Sequence, residues 1–312
     1  MAKVVLPPFL VIVMQTNKNT HKGKAVQAYK LTPNELSLWL KYIEHQVGFV
    51  LPDAQINWVK TVIERHLAKQ SLSTTQFLEK LALDKALYHS LFDDILIPRT
   101  QFFRHQPSFA LIQQYAKEWT KVYQTSAMPF TAWSVGCSTG QEPVSLLLNL
   151  AQELLKHNWR EFLVYGSDFR QQSLEVAKQG LYDKSELANI PEIYHNKLQI
   201  SEKKFGLLPD YHRHLQFFSK NLVDKSVFIP LAKRQCQVIL CKNVLIYFRQ
   251  FEQRDILQYL TQFLADDGIL LLGVGELTKM QQSKLMRLPL PNLNVFCKKN
   301  APMWVQQLTP TG

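Results

Sequence analysis

Cysteine is scarce in this chain, with four in 312 residues. Cys137, Cys236, Cys241 and Cys297 form no CxxC pair and no Cys/His spacing of the kind that holds zinc. A disulfide framework and a structural metal are therefore both unexpected, and the thiols read as reduced, mostly buried and cytoplasmic. Long hydrophobic runs are missing too. The one apolar stretch that invites confusion is VVLPPFLVIVM, near the start. It is too short to span a bilayer, is interrupted by Pro7 and Pro8, and lacks a small-residue cleavage site. It reads as a packed extension over residues 1–30 without membrane insertion. No internal repeat and no low-complexity tract is present, which leaves an ordinary globular composition with room for two domains.

The chain is rich in positive charge. Lysine and arginine number 36 against 25 acids, a formal net charge of +11. An acidic partner follows, whether nucleic acid, anionic membrane or acidic protein. Thr32, Pro33 and Glu35 supply an N-cap, a first-turn proline and a capping-box acid, opening a helix with Leu36, Trp39, Leu40 and Ile43 on one face. A second helix from about Pro52 carries Ile56, Val59, Val62, Ile63 and Leu67, with Lys60, Arg65, His66 and Lys69 on the other face. A third begins near Ser73 and a fourth carries Leu87, Leu91 and Phe92. Residues 31–96 thus read as a small all-helical domain. Its basic stripe is either a solvated face or a docking face for an acidic helix or a phosphate backbone, with Lys60 and Arg65 as its docking candidates. Residues 97–129 read as a linker and cofactor-gating segment, in which Phe102 and Phe103 anchor and Arg104 is presented.

From residue 130 strands and helices alternate, and the pattern is organised around TAWSVGCSTGQEPVSL (131–146). An apolar run enters a turn closed by Gly136 and Gly140, then leaves through Glu142 into a leucine-rich helix. Strand, glycine turn and helix open a nucleotide-type α/β fold, with free helix N–H groups at the turn. A phosphate site would gain from a lysine there. Glu142 instead repels pyrophosphate and suits a cationic amine, such as that of S-adenosylmethionine. The alternative is a βα turn with no ligand. The next strand, EFLVYGSD, ends at Asp168, placed either to hold a ribose or to cap a helix. Residues 180–220 read as basic and irregular. A third strand ends at Asn221, and CQVILCKNVLIYF breaks at Lys242 and Asn243. After a further helix, Asp266, Asp267 and Gly268 make a turn into ILLLGVG, and the tail closes as an antiparallel hairpin. The expected fold is α/β, a Rossmann-like, mainly parallel sheet over 130–312 behind the helical domain. Gly136, Asp168, Asn221, Asn243 and Tyr247 all fall at or beyond carboxyl ends of strands, where such sheets bind ligands.

With those residues in place, the chain resembles the bacterial chemoreceptor glutamate O-methyltransferases of the CheR type. The resemblance rests on RTQFFR (99–104), VGCSTGQEPVSL (135–146), GSDFRQQSLEVAKQGLY (166–182), FFSKNL (217–222), CKNVLIYF (241–248) and ADDGILLLG (265–273). The N-terminal extension points to the branch acting on receptors that control type IV pili. The resemblance implies that residues 130–312 are a Rossmann-like S-adenosylmethionine-dependent methyltransferase domain, with S-adenosylmethionine as methyl donor and the cytoplasmic helices of a methyl-accepting chemoreceptor as partner. It places Thr100, Arg104, Gly136, Glu142, Asp168, Asn221, Leu222 and Asn243 around the donor, Glu142 at the methionyl amine and Asp168 at the ribose. Arg104 and Tyr247 would reach the reacting centre. The chain departs from the family pattern at Pro98, Gln141, Arg170, Lys242 and the Val274–Gly275 pair, where Asn, an acid, Asp, Arg and His-Ser are usual. Those departures keep a rival open, a catalytically weak donor-binding sensor or scaffold. A nucleic-acid methyltransferase is disfavoured, because Asn243 is followed by Val244, Leu245 and Ile246 rather than the Pro-Pro-aromatic motif. No interleaved base-stacking aromatics are evident either.

Overall fold

The computed structural model describes residues 29–48, 50–51, 53–95, 100–124, 128–159, 161–224, 229–233, 235–276 and 284–309. Pro98 and all of the 1–30 extension except Tyr29 and Lys30 lie outside the described residues. Two compact units are present, residues 1–97 with 247–249, and residues 98–246 with 250–312.

The first unit contains α1 (Pro33–Val47), α2 (Asp53–Gln70), α3 (Thr74–Leu83) and α4 (Lys85–Ile95). The α1 start is the capping box read from the sequence: Glu35 N–H donates to Thr32 Oγ1, and Thr32 N–H donates to Glu35 Oε2 at 3.0 Å. Gly48 ends the helix at φ +74°, a left-handed cap that glycine adopts without steric cost. Ser73 and Gln76 repeat the box at α3. The stripes converge on Trp39, Ile43, Val59, Val62, Ile63, Leu67, Phe77 and Phe92, all buried, joined by Tyr42. His66 does not share the basic face expected for it. It is buried against Phe77, with Nε2 2.8 Å from Asp94 Oδ2.

The second unit opens where a linker is expected. Its α5 (Gln106–Val122) buries Phe109, Leu111, Ile112, Tyr115 and Trp119 against α6 (Gln141–Leu154), and its apolar face is as deep in the core as any strand. The chain then alternates β1 (Phe130–Val135), α6, β2 (Phe162–Asp168), α7 (Gln171–Gln179), β3 (Tyr182–Asp183), β4 (Leu198–Ile200), β5 (Lys204–Leu207), α8 (Pro209–His212) and β6 (Leu215–Ser219). It continues through β7 (Cys236–Cys241), α9 (Gln250–Phe263), β8 (Leu264–Leu272), β9 (Leu285–Arg287), β10 (Asn294–Lys298) and α10 (Met303–Gln306). The main sheet runs β6-β2-β1-β7-β8-β10-β9. Its first five strands are parallel, and β10 and β9 close it by antiparallel pairing; the hairpin expected within 294–308 is corrected, since Met303–Gln306 is helix α10 and β10 pairs with β8 and β9 instead. Helix α6 is buried nearly all round, which explains its leucine run without a polar stripe.

Three further expectations are corrected. Residues 180–220 are not irregular: β3, β5 and β4 form a separate three-stranded antiparallel sheet. Strand β6 stops at Ser219, two residues before Asn221. Asp266–Gly268 is not a turn before a strand but a bulge inside β8. Leu264 pairs with Cys236 and Ile269 with Val238, so residues 265–268 stand out of register. Gly268 permits this because a Cβ there would lie 2.7 Å from the Cys236 carbonyl.

Candidate donor-binding crevice

The chain leaves β1 for β2 and β6 on one side, then returns to β7 on the other. The sheet order reverses between β1 and β7, and their carboxyl ends frame the crevice where such sheets take ligands. The glycine turn forms one wall. Gly136 sits at φ +69°, and a Cβ on it would lie 2.5 Å from Val244 Cγ2 in the segment after β7. Gly140 sits at φ +98°, its missing Cβ filled by the Tyr182 hydroxyl, 2.6 Å away. Ser138 is left-handed at φ +53° without being glycine, and is held there by its amide, which donates to Asp168 Oδ2 at 2.8 Å.

Asp168 is buried and heavily used. Its Oδ1 accepts from the Arg170 amide at 2.9 Å and from Arg170 Nε at 3.2 Å. Its carboxylate thus ties the amide of Arg170, the residue before α7, to the Ser138 amide of the glycine turn, and it makes no side-chain cap to α7 itself. Glu142, on the first turn of α6, accepts from Ser134 Oγ at Oε1 (2.9 Å) and pairs with Lys242 Nζ at Oε2 (3.0 Å). Those two side chains are 17% and 7% exposed, so the pair spans the reversal point largely out of water. Lys242 also donates to the Arg104 carbonyl at 3.3 Å and lies 5.0 Å from the centre of the Phe109 ring.

Each remaining candidate has its place. Arg104 is exposed and Thr100 half-buried at the start of the second unit, on either side in sequence of the buried Phe102 and Phe103. Asn221 accepts from the Val223 amide at 3.2 Å, and Leu222 is buried beside it. Asn243, exposed at φ +59°, donates its amide to Glu276 Oε2 at 3.2 Å. Tyr247 groups with the first unit, where its carbonyl accepts from the Val50 amide at 2.8 Å. In that same unit, Arg65 is exposed and 2.9 Å from Asp94, and Lys60 is half-buried.

The sequence reading missed several partners. Gln141, noted as a departure from an acid, donates to Glu186 Oε2 at 3.1 Å and accepts from Thr139 Oγ1 at 2.7 Å. An acid at 141 would face Glu186, which accounts for the amide. Arg170 departs from Asp because here it pairs with Asp168. Glu276, a buried carboxylate, takes the amides of Gly273, Asn243 and Ile246 and so braces the segment after β7. Burial pushes its carboxyl up from the ordinary range despite those donors. Nothing local marks Glu276 in the sequence, since its partners lie up to 33 positions away. Burial, then the nearby Asp168 and Glu142, push the Cys137 thiol well up, which removes it as a nucleophile. Burial, then Lys242, lowers the His105 imidazole.

The crevice fits a zwitterionic nucleoside. The Ser138 hydroxyl is buried with no hydrogen-bond partner among the described residues, an orphaned donor beside Asp168 suited to a ribose hydroxyl. Glu142 demonstrably accepts an ammonium. Among the described residues no cluster of acids, histidines or cysteines is arranged to hold a metal, and no helix is long and apolar enough to cross a membrane.

Comparison with known proteins agrees with this chemistry. Residues 98–292 match the family model described as CheR methyltransferase, SAM binding domain. A chemotaxis protein methyltransferase of Borreliella burgdorferi is 27% identical over 272 residues, covering 83% of this chain and 93% of that protein. The chemotaxis protein methyltransferase of Escherichia coli is 29% identical over 246 residues, covering 75% and 81%. A probable biofilm formation methyltransferase of Pseudomonas putida is 24% identical over 248 residues, covering 76% and 55%.

Proposed function

From the premise that this chain belongs to the CheR methyltransferase family and takes S-adenosylmethionine as its methyl donor, we propose that it esterifies glutamate side chains on the cytoplasmic helices of a chemoreceptor. The observation that carries the reading is Glu142, an acid at the reversal point of the sheet that binds an ammonium 3.0 Å away. Bound S-adenosylmethionine supplies an electrophilic methyl group on a sulfonium. Glu142 holds the amine end, and Asp168 with the Ser138 hydroxyl holds the ribose. Thr100, Asn221, Leu222 and Asn243 complete the walls, and Gly136 lets the turn approach the segment after β7.

The acceptor needs no general base. A glutamate carboxyl has an ordinary pKa of about 4.3 and is already a nucleophile at neutral pH. The work left to the protein is orientation and exclusion of water. Arg104, exposed beside the crevice lysine, steers the acceptor carboxylate, and the resemblance assigns the same task to the Tyr247 phenol. A tight ion pair to the carboxylate would blunt its attack, so Arg104 acts mainly on encounter. The helical unit, through Lys60 and Arg65, supplies the basic face for an acidic receptor bundle.

A second reading is favoured by one observation. Both acids of the crevice already hold cations of the chain, Lys242 on Glu142 and Arg170 on Asp168. A sensor or scaffold with weak turnover would tolerate that. Full-length protein, labelled donor and receptor cytoplasmic fragments separate the two. Base-labile methyl ester on receptor glutamates is the expected outcome, and a stronger signal on a pilus-control receptor than on a flagellar one supports the pilus branch. Binding of S-adenosylhomocysteine without any ester supports the sensor, and no binding at all refutes both.

A further inference from the structure

The geometry points to Lys242 as a resident counter-ion of the donor-binding acid, an ammonium that the donor's own amine replaces on Glu142. This inference rests on the reading of the crevice as a methyl-donor site. The two oxygens of Glu142 are divided: Oε1 takes the Ser134 hydroxyl, and Oε2 takes Lys242 Nζ at 3.0 Å. With 7% and 17% of the side chains exposed, neither group is well hydrated. A carboxylate this buried without a partner would weigh against folding, and Lys242 relieves that. The same device recurs at the second acid, where Arg170 covers Asp168 Oδ1 with two donors.

An incoming α-ammonium competes with Lys242 for this carboxylate, whose Oε2 the lysine holds and whose Oε1 already takes the Ser134 hydroxyl. Two cations on one carboxylate repel each other in a poorly hydrated site. Lys242 has somewhere to go. Its ammonium carries three donors, one already on the Arg104 carbonyl at 3.3 Å, and the Phe109 ring lies 5.0 Å away. Donor binding is therefore an exchange of one ammonium for another, and its strength is the difference between two similar bonds. Lys242 in this way sets donor affinity and discriminates by the amine. A nucleoside without an amine gains nothing from Glu142 and does not feel the lysine.

Calorimetry on the full chain tests this with two probes, S-adenosylhomocysteine, which carries the amine, and 5′-methylthioadenosine, which does not. Lys242→Met keeps an unbranched side chain of similar length and removes the charge, and with it the ammonium over the Phe109 ring. It should bind S-adenosylhomocysteine about tenfold tighter, the scale of one charge-assisted hydrogen bond no longer displaced. Its affinity for 5′-methylthioadenosine should match the wild type. Lys242→Gln, which keeps a donor to Glu142 without the charge, should tighten binding in the same direction and serves if the Met variant does not fold. A second readout is thermal. The ligand-free Met variant should melt lower than the wild type and gain more degrees from S-adenosylhomocysteine. Unchanged or weaker S-adenosylhomocysteine binding, with 5′-methylthioadenosine binding retained, overturns the exchange. Failure of the wild type to bind either probe overturns the donor-site reading itself.

Discussion

The Ser138 hydroxyl is buried in a left-handed turn residue and meets no partner among the described residues, while the same residue's amide is committed to Asp168. A buried polar group of this kind is a burden in folding, because nothing replaces the water it has lost. Ser138→Ala should therefore leave the denaturation midpoint unchanged or slightly raised, yet weaken S-adenosylhomocysteine binding by about fivefold to tenfold if the hydroxyl serves the ribose. Titration calorimetry beside urea unfolding reads both, and equal affinity would remove Ser138 from the donor site. Gly136 should behave in the opposite way. A methyl group at φ +69° would sit 2.5 Å from Val244 Cγ2. Gly136→Ala should lower stability by about 2 kcal/mol, combining left-handed strain with overpacking, in the same urea experiment. The glycine turn and the acids at 142 and 168 were legible in sequence because they sit within a few residues of a strand end. The lysine that covers Glu142 was not. Lys242 lies a hundred positions from Glu142, and only the pairing of β1 with β7 brings the two together.

At the scale of elements, the segment after β7 is held from behind by one carboxylate. Glu276 accepts amides from Gly273, Asn243 and Ile246 across two separate stretches of backbone. Glutamine has one acceptor where glutamate has two, and its NH2 would face a backbone donor. Glu276→Gln should therefore destabilise by about 1–3 kcal/mol. Burial raises the Glu276 pKa in the folded state above its ordinary 4.5, so the native protein keeps that proton more tightly than the unfolded chain. Stability from this group is then highest below about pH 4.5 and falls as pH rises through the folded pKa. The stability difference between wild type and variant, measured by urea unfolding from pH 4 to 8, should show that slope and level off above it. Sequence pattern found the long elements here and missed the short ones for a physical reason. Helix α1 carries its own capping box, and β7 is a run of apolar residues, so each declares itself locally. The three-stranded sheet is built from strands of two to four residues that exist by pairing, and the bulge in β8 is defined only against β7. Helix α5 escaped because His105 starts it with no side-chain cap, which left Pro107 in its first turn as the one local start signal.

At the scale of the whole chain, a net charge of +11 needs an acidic partner more than it needs any one residue. The methyl acceptor proposed above is such a partner, and the basic stripe of α2 is the place to test it. Arg65 is not a simple probe, since its guanidinium is 2.9 Å from Asp94 and a glutamate there would face that acid. Arg65→Gln removes the charge without creating repulsion, and Lys60→Glu reverses the neighbouring one. Surface charges contribute about 0.2–1 kcal/mol each, so the double variant should raise the KM for a receptor fragment by about threefold to tenfold at low salt. The effect should shrink as ionic strength rises and the Debye length falls below the spacing of the charges. The Kd for S-adenosylhomocysteine should stay at the wild-type value, because neither residue belongs to the unit that holds Glu142 and Asp168. A matching loss of donor affinity would mean that the helical unit supports the crevice rather than the acceptor. Unchanged methylation at every salt concentration would leave the stripe as a solvated face and move the docking surface elsewhere on this basic protein.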